Sequence, residues 1–552
     1  MRYFLLTGFL TVVIIVISIA YTSGPQPTYD VLLRNGTIYD GSGSSPFVGD
    51  IAIQGDTIAA IGNLKELHAR KEIDVNGLAV TPGFINMLSW ADRSLLMDGR
   101  SMSDIKQGVT LEVFGEGWSP GPVKRKNTKP VDSLWTTLGG YFTWAMKKGV
   151  SPNIASFVGA TTVRIHEVGY DKRDPTPEEL NRMKALVQQA MEEGAMGVGS
   201  SLIYAPADYA STHELIELAR VAAEYGGIFT THMRSEGDFI LPALNETFQV
   251  AAQAKIPVEI YHLKINIARN WPKIDTLLSK IDSARKAGLK ITANNYPYIA
   301  SATGLTARLP NWVQDGGAVA MRKRLRNPAI RRKVLQEMRD GIPYKNSDPK
   351  DVQLLGFRLD SLNKKYRGKR LDVVARMHGK DADETVIDLV MRDKSTIAAI
   401  YYQQSEENIK KIIQQPYVSF GSDGASMSDD KIFADWGTHP RAYGTFARLL
   451  GKYVRDEKLM SLQEAIRRLT ALPAANLNIQ KRGLLKPGYF ADVAVFDPAT
   501  IQDHATFDQP KQYATGMVHV FVNGTQVLNK GEHTGATPGR VVYGPGYKVK
   551  KP

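Results

Sequence analysis

Two short β-like runs, each ending in a histidine, constrain this chain more than any other feature. Ile228-Phe229-Thr230-Thr231-His232 and Val258-Glu259-Ile260-Tyr261-His262 are separated by an amphipathic stretch over residues 239–255 and the breaker Pro257. A strand, a helix and a strand in that order give two parallel, neighbouring strands. Such strands lie about 4.8 Å apart, so imidazoles at matching strand ends can share one metal ion. Arg234, Glu236 and Asp238 after the first histidine and Lys264 after the second suit an open strand mouth. Two unrelated strand-capping histidines are the plainer reading. Matched placement on consecutive strands favours the metal site.

The alternation of strand and helix extends in both directions. Thr176-Pro177-Glu178-Glu179 reads as a capping box with proline at the first helical position. Leu180, Met183, Val187 and Met191 then mark one apolar face, and Gly194 stops the helix before a strand over 196–200. Ser211-Thr212-His213-Glu214 reads as a second box, which makes His213 an early helix residue with no chemical role. Another helix ends at Gly288 and leads into a strand over 289–294. Repeats of this size predict an α/β fold of the (β/α)8 TIM-barrel type, with its active site at the C-terminal strand ends. Residues 304–396 break the rhythm with a long, charged, helical insertion, placed to cover the barrel mouth as a lid. The rhythm resumes over 397–403 and again in Tyr417-Val418-Ser419-Phe420-Gly421-Ser422-Asp423-Gly424. Asp423 stands where the last strand opens, a place for a catalytic carboxylate; a turn-forming Asp-Gly is the alternative.

The chain ends differ in texture. Residues 29–58 and 491–524 carry short strands with Asn35-Gly36 and Gly55-Asp56 as hairpin signals. One small β-sandwich domain drawn from both ends (27–83 plus 484–545) around a barrel over 84–483 accounts for this. Before it, Arg2, an apolar run over 3–20 and Ser18-Ile19-Ala20 predict a cleaved export signal over 1–20. The run is also close to the length of an uncleaved membrane anchor. Either way the expected location is outside the cytoplasm, periplasmic or extracellular. The absence of cysteine excludes thiolate ligands and disulfides. A net charge of +13 raises the question of nucleic acid, but the densest basic run, 322–333, falls at helical spacing among Leu325, Ile330 and Val334. That is a solvated helix face, and no nucleic-acid partner is expected.

With these residues in place the chain resembles the amidohydrolase superfamily, and within it the N-acyl-D-amino-acid deacylases (D-aminoacylases). The likeness runs from about Tyr29 to Tyr543 through Thr81-Pro82-Gly83-Phe84-Ile85, Thr231-His232-Met233-Arg234-Ser235-Glu236-Gly237-Asp238 and Tyr261-His262-Leu263-Lys264. It continues in Asn295-Tyr296-Pro297-Tyr298, Gly421-Ser422-Asp423-Gly424, His439-Pro440-Arg441 and Pro487-Gly488-Tyr489-Phe490-Ala491-Asp492. The resemblance implies that His232 and His262 hold the metal and that Asp423 activates water and later protonates the leaving amine. It also implies that Lys264, Tyr296 and Arg441 hold the substrate. Arg441 would pair the α-carboxylate, which suits a guanidinium fork.

Two departures from the pattern stand out. The superfamily places His-x-His just beyond Pro-Gly-Phe-Ile, where this chain has Leu88 and Trp90. The family's bridging cysteine is also replaced, with Glu116 nearest its position in Phe114-Gly115-Glu116-Gly117-Trp118. One reading is a non-catalytic, ligand-binding homologue. The other keeps a single zinc on Glu116, His232 and His262, an accepted catalytic set, with manganese or cobalt as substitutes because carboxylate is harder than thiolate. The expected activity is then hydrolysis of a linear amide in a small N-acyl-D-amino acid. A cyclic amidase of the hydantoinase or dihydroorotase kind is the alternative enzyme, and it would have no need of Arg441 for a free carboxylate.

Overall fold

Eight short parallel strands form in chain order: β1 (Phe84–Asn86), β2 (Val109–Phe114), β3 (Asn153–Ser156, continued by Val158–Gly159) and β4 (Gly197–Ser201), then β5 (Ile228–His232), β6 (Val258–Ile260), β7 (Ile291–Asn295) and β8 (Val418–Phe420). Each pairs with the next in parallel. The ring closes where Met87 N–H donates to Phe420 O (3.2 Å), Asp423 N–H donates to Leu88 O (2.8 Å), and Ser89 bridges Gly424 in parallel. This computed structural model describes residues 29–124, 134–341 and 347–548; the stretch 1–20 read as an export signal lies outside them. Among the described residues no helix is long and apolar enough to cross a membrane.

The helices between strands bury the faces that their spacing dictates. Between β5 and β6, the helix Ile240–Ala254 buries Ile240, Ala243, Leu244, Val250 and Ala251 against the barrel. Each large aliphatic side chain there contributes about 1.5–3 kcal/mol. The Thr176 box is complete, with Glu179 reaching back to the cap. The second box is only half made. Ser211 accepts from Glu214 N–H, but the Glu214 carboxylate turns inward to a buried ion pair with Arg164. His213 is exposed on the first turn. The basic run lies on two helices, Gly317–Leu325 and Pro328–Asp340, with Leu325 and Val334 buried and Lys323, Arg332 and Lys333 exposed.

Both chain ends meet in one nine-stranded sheet. Ala79–Pro82 pairs antiparallel with Val493–Phe496, so the first and last thirds of the chain share a ladder. One face gathers Val31, Leu33, Ile51, Ile53, Val493, Val495 and Phe521 into a local core, and the other packs Ala494, Phe496, Val520 and Val522 against barrel residues. Gly55-Asp56 is the expected hairpin turn. Asn35-Gly36 is not a turn: it is a bulge inside the single strand Tyr29–Ile38. Asp50 accepts from Asn35 N–H (2.8 Å), and a Cβ on Gly36 would stand 2.5 Å from Val80 Cγ2, so neighbouring strands hold the pair in line.

The insertion is an α/β unit with its own core around Leu305, Val334, Leu354, Val374 and Val390. Its helices pack on an antiparallel sheet of Ser301–Gly304, Ala398–Tyr401 and Val352–Gly356. The run over 397–403 therefore supplies the middle strand of this sheet and is not a barrel strand. A fully buried apolar run reads alike in either setting.

Candidate active site

The C-terminal strand ends place the titratable side chains around one cavity of about 620 Å³. After β2, Gly115 (φ 107°) and Gly117 (φ 72°) turn the chain sharply, and a Cβ on Gly117 would lie 2.5 Å from Ser201 Cβ. That close approach to β4 swings Glu116 inward. His232 ends β5. His262 follows β6 with φ 35°, held by its N–H to Asn294 Oδ1 (2.7 Å), and Asp423 follows β8 with φ 47°. Two non-glycine residues held at positive φ on strand ends separated only by β7 are a feature of strained functional sites.

Glu116 Oε1 lies 2.8 Å from His232 Nδ1 and 3.1 Å from His262 Nε2. On the far side, Glu236 Oε1 lies 3.2 Å from His262 Nδ1 and 3.6 Å from His232 Nε2. Each imidazole thus turns one nitrogen to Glu116 and the other to Glu236. Lys264 Nζ donates to Glu236 (2.5 Å) and lies 2.8 Å from His262 Nδ1. Burial would raise the Glu116 carboxyl, but the His262 charge and hydrogen bonds from both histidines hold it far below the usual range. Glu236 is held low in the same way, by His232, Lys264 and His262 against burial. Burial and Lys264 push the His262 imidazole down, yet Glu116 and Glu236 outweigh them and raise it to about 9.

Two buried, ionised carboxylates flanking two imidazoles require a second positive charge besides Lys264, which either a protonated His262 or a bound metal supplies. One ligand atom each from Glu116, His232 and His262 lies within 4.8 Å of the others, all three residues being buried. Among the described residues His232 Nε2 has no hydrogen-bond partner. This donor set fits a divalent metal of the zinc type, and Glu236 is placed as the outer carboxylate against the His262 ring.

Asp423 sits beside this cluster. Trp90 donates its indole Nε1–H to Asp423 Oδ1 (2.9 Å) and to Glu116 Oε2 (3.1 Å). Asp423 Oδ2 lies 2.7 Å from Arg441 Nη1. The contact is close but poorly aligned, since among the described residues neither Nη1 nor Nε of Arg441 makes a hydrogen bond. The guanidinium stacks 4.5 Å above the Tyr296 ring. His439 fixes the root of Arg441: Nδ1 accepts Arg441 N–H (3.0 Å) while Nε2 faces Ala300 O (3.0 Å). Burial and the neighbouring Arg441 hold that imidazole well below its ordinary pKa, in keeping with the neutral tautomer those two bonds require.

Glu116, His232, His262, Lys264, Asp423 and Arg441 all line the cavity. Tyr296 does not; it lies fully buried behind Arg441 and Lys264, a backing rather than a wall. Glu236 and His439 are the residues that sequence reasoning passed over as site members. Their signal was present in Thr231-His232-Met233-Arg234-Ser235-Glu236 and His439-Pro440-Arg441, but only side-chain geometry gives them partners. The insertion supplies the opposite wall through Thr303, Arg308 and Tyr401.

A family model described as amidohydrolase family matches residues 367–528. The D-aminoacylase of Alcaligenes xylosoxydans xylosoxydans is 34% identical over 94% of this chain and 98% of its own length. The chain belongs to the D-aminoacylase family of amidohydrolases. A D-aminoacylase structure described for its binuclear metal centre, with one-metal activation and second-metal attenuation, superposes with TM-score 0.78 at 32% identity, covering 93% of this chain and all of the other. The N-acyl-D-glutamate deacylase of Bordetella bronchiseptica, complexed with zinc and a phosphonate mimic of the tetrahedral intermediate, gives TM-score 0.79 at 30% identity over 94% of this chain and all of its own.

Proposed function

We propose that this protein hydrolyses N-acyl-D-amino acids to a carboxylic acid and the free D-amino acid, with about one zinc per chain on Glu116, His232 and His262. The observation that carries the reading is the buried Glu116–His232–His262 cluster beside Asp423 and Arg441, in a chain that spans 98% of a D-aminoacylase. Held there, the metal supplies Lewis-acid polarisation of the acyl carbonyl and makes water more acidic. Asp423 accepts the proton of the attacking water and returns it to the departing nitrogen. Arg441, buried and without aligned hydrogen bonds among the described residues, takes the α-carboxylate, and the Tyr296 ring keeps its fork in plane. Lys264 holds Glu236, and Glu236 faces the outer nitrogen of His262 at 3.2 Å.

The one-zinc reading is supported by Leu88 and Trp90, which offer no ligand, and by the one-metal activation described for the related D-aminoacylase. Zinc content measured alongside hydrolysis of paired N-acetyl-D- and N-acetyl-L-amino acids tests it. The expected result is about one equivalent of zinc and turnover of the D series; cleavage of hydantoins or dihydropyrimidines instead would move the protein to the cyclic amidases. Export is part of the same proposal, resting on the apolar run over 3–20 followed by Ser18-Ile19-Ala20. N-terminal sequencing of the protein made in its own host should begin near Tyr21, and an intact Met1 in a soluble cytoplasmic fraction would overturn it.

A further inference from the structure

We infer that Trp90 is a positioning residue that stands where a second cation would otherwise bridge Glu116 and Asp423, its indole N–H fixing Asp423 for proton transfer. The inference rests on the metal-dependent amide hydrolysis proposed above.

Two buried carboxylates that share one neighbourhood repel each other unless a positive charge or a donor lies between them. Here the only group within hydrogen-bonding distance of both Glu116 Oε2 and Asp423 Oδ1, among the described residues, is the Trp90 indole N–H, at 3.1 and 2.9 Å. The residue is clamped for this task. Trp90 N–H donates to Gly424 O (2.9 Å), next to Asp423 itself, and the preceding Ser89 N–H donates to Val113 O (2.9 Å) on β2, three residues before Glu116. The indole is therefore anchored to both chain segments whose carboxylates it joins. Leu88 turns the other way, fully buried in a barrel cluster with Ile85, Val113 and Tyr261, and brings neither charge nor donor to the site.

The geometry of Asp423 gives the indole its consequence. One carboxylate oxygen faces Trp90 and the other faces Arg441. When Arg441 turns its fork to a substrate carboxylate, the bond from Trp90 is what still fixes the plane of Asp423. A general base held in one orientation keeps its lone pair on the attacking water, and loss of that orientation lowers turnover more than binding. A neutral N–H does this without adding a second metal's charge, so Asp423 stays free to carry the proton.

Trp90→Phe keeps an aromatic ring and deletes the donor. In the zinc-loaded protein, we expect zinc content and melting temperature to stay near the parent's, KM to move less than about threefold, and kcat to fall about ten- to hundredfold, the scale of a lost hydrogen bond to a charged group. Unchanged kcat overturns the inference, and so does loss of zinc in step with activity, which would place the effect on the metal ligands. The second measurement does not need turnover. The chain has seven tryptophans, so in 15N-tryptophan-labelled protein the Trp90 indole N–H resonance is identified by its disappearance in Trp90→Phe or, should that variant not fold, in Trp90→His. Asp423→Ala should shift that resonance, with or without catalytic activity in the parent. An unmoved resonance refutes the bridge, whereas a shifted resonance in a parent inactive on every N-acyl-D-amino acid refutes the proposed function and leaves the bridge standing. Trp90→His places an imidazole between the same two carboxylates and should take up a second equivalent of zinc. Stoichiometry equal to the parent's would show that the indole does not occupy a cation's place.

Discussion

Arg441→Ala separates substrate recognition from the rest of the site. Arg441 is 4% exposed, its guanidinium stacked on Tyr296 and 2.7 Å from Asp423 Oδ2, so truncation has two consequences. It removes the only cation in contact with Asp423 among the described residues, and it removes the fork assigned to the substrate carboxylate. Removing one member of a buried, charged pair costs about 2–5 kcal/mol in transition-state binding, or roughly 30- to 5,000-fold in kcat/KM at 1.36 kcal/mol per decade. The part that belongs to the substrate is isolated by a cycle that pairs the variant with an N-acyl-D-amino acid amide. The amide has no carboxylate to lose, so its decrease reports only the change around Asp423, and the free acid should lose distinctly more. The assay is initial-rate hydrolysis of matched acid and amide by the parent and variant, with zinc measured in both. Equal losses for acid and amide would show that Arg441 serves Asp423 alone and that the α-carboxylate binds elsewhere.

The remaining predictions bear on the metal and its frame. Glu116→Ala should strip zinc and activity together, whereas Asp423→Ala should abolish turnover and leave zinc bound; full zinc retention by Glu116→Ala, read by elemental analysis, would show the donor set to be wrong. In protein stripped with a chelator, the His262 imidazole has a pKa raised to about 9, above its ordinary ~6.5. Its contribution to stability is then fully present below about pH 6.5 and lost as pH rises through about 9. The melting temperature of stripped protein should therefore fall over that window relative to zinc-loaded protein, and parallel curves would refute the linkage. Gly117→Ala puts a Cβ 2.5 Å from Ser201 at φ 72°, so it should shift the Glu116 turn and weaken zinc binding while circular dichroism stays that of the parent; undiminished zinc affinity would mean the turn does not set the ligand.

Much of the barrel was legible because its signals are local. Hydrophobic period, caps and breakers place Pro177–Glu192 and Ile240–Ala254 within a residue or two, and histidines at the ends of consecutive parallel strands point to one mouth. Where a signal depends on partners distant in sequence, the reading failed in a patterned way. Asn35-Gly36 carries turn chemistry, yet Asp50 and Asp74 bind Asn35 from other strands and draw the pair into a bulge. The apolar run ending at Tyr401 fits a barrel strand or any buried strand, and only its antiparallel pairing with Ser301–Gly304 and Val352–Gly356 decides. Glu214 fits a capping box until Arg164, fifty residues earlier, claims its carboxylate.

The site divides along the same line. Ligand candidates can be read from residue type and strand position, because a metal needs His and carboxylate side chains at strand ends. What holds those side chains in place uses groups that sequence treats as ordinary. Glu236 is one acidic residue among several after His232, and its importance lies in meeting the outer nitrogens of two imidazoles at 3.2 and 3.6 Å. Trp90 registers in sequence only as a missing ligand, whereas in space it is a donor shared by carboxylates 26 and 333 residues away. Replacing His-x-His by Leu-Ser-Trp thus changes what the first strand contributes, from metal ligands to a hydrogen bond, while Glu116, His232, His262 and Asp423 keep their places around the cavity. On the inference drawn above, the neutral indole donor takes over the task of orienting Asp423 in a site that has no first-strand ligand.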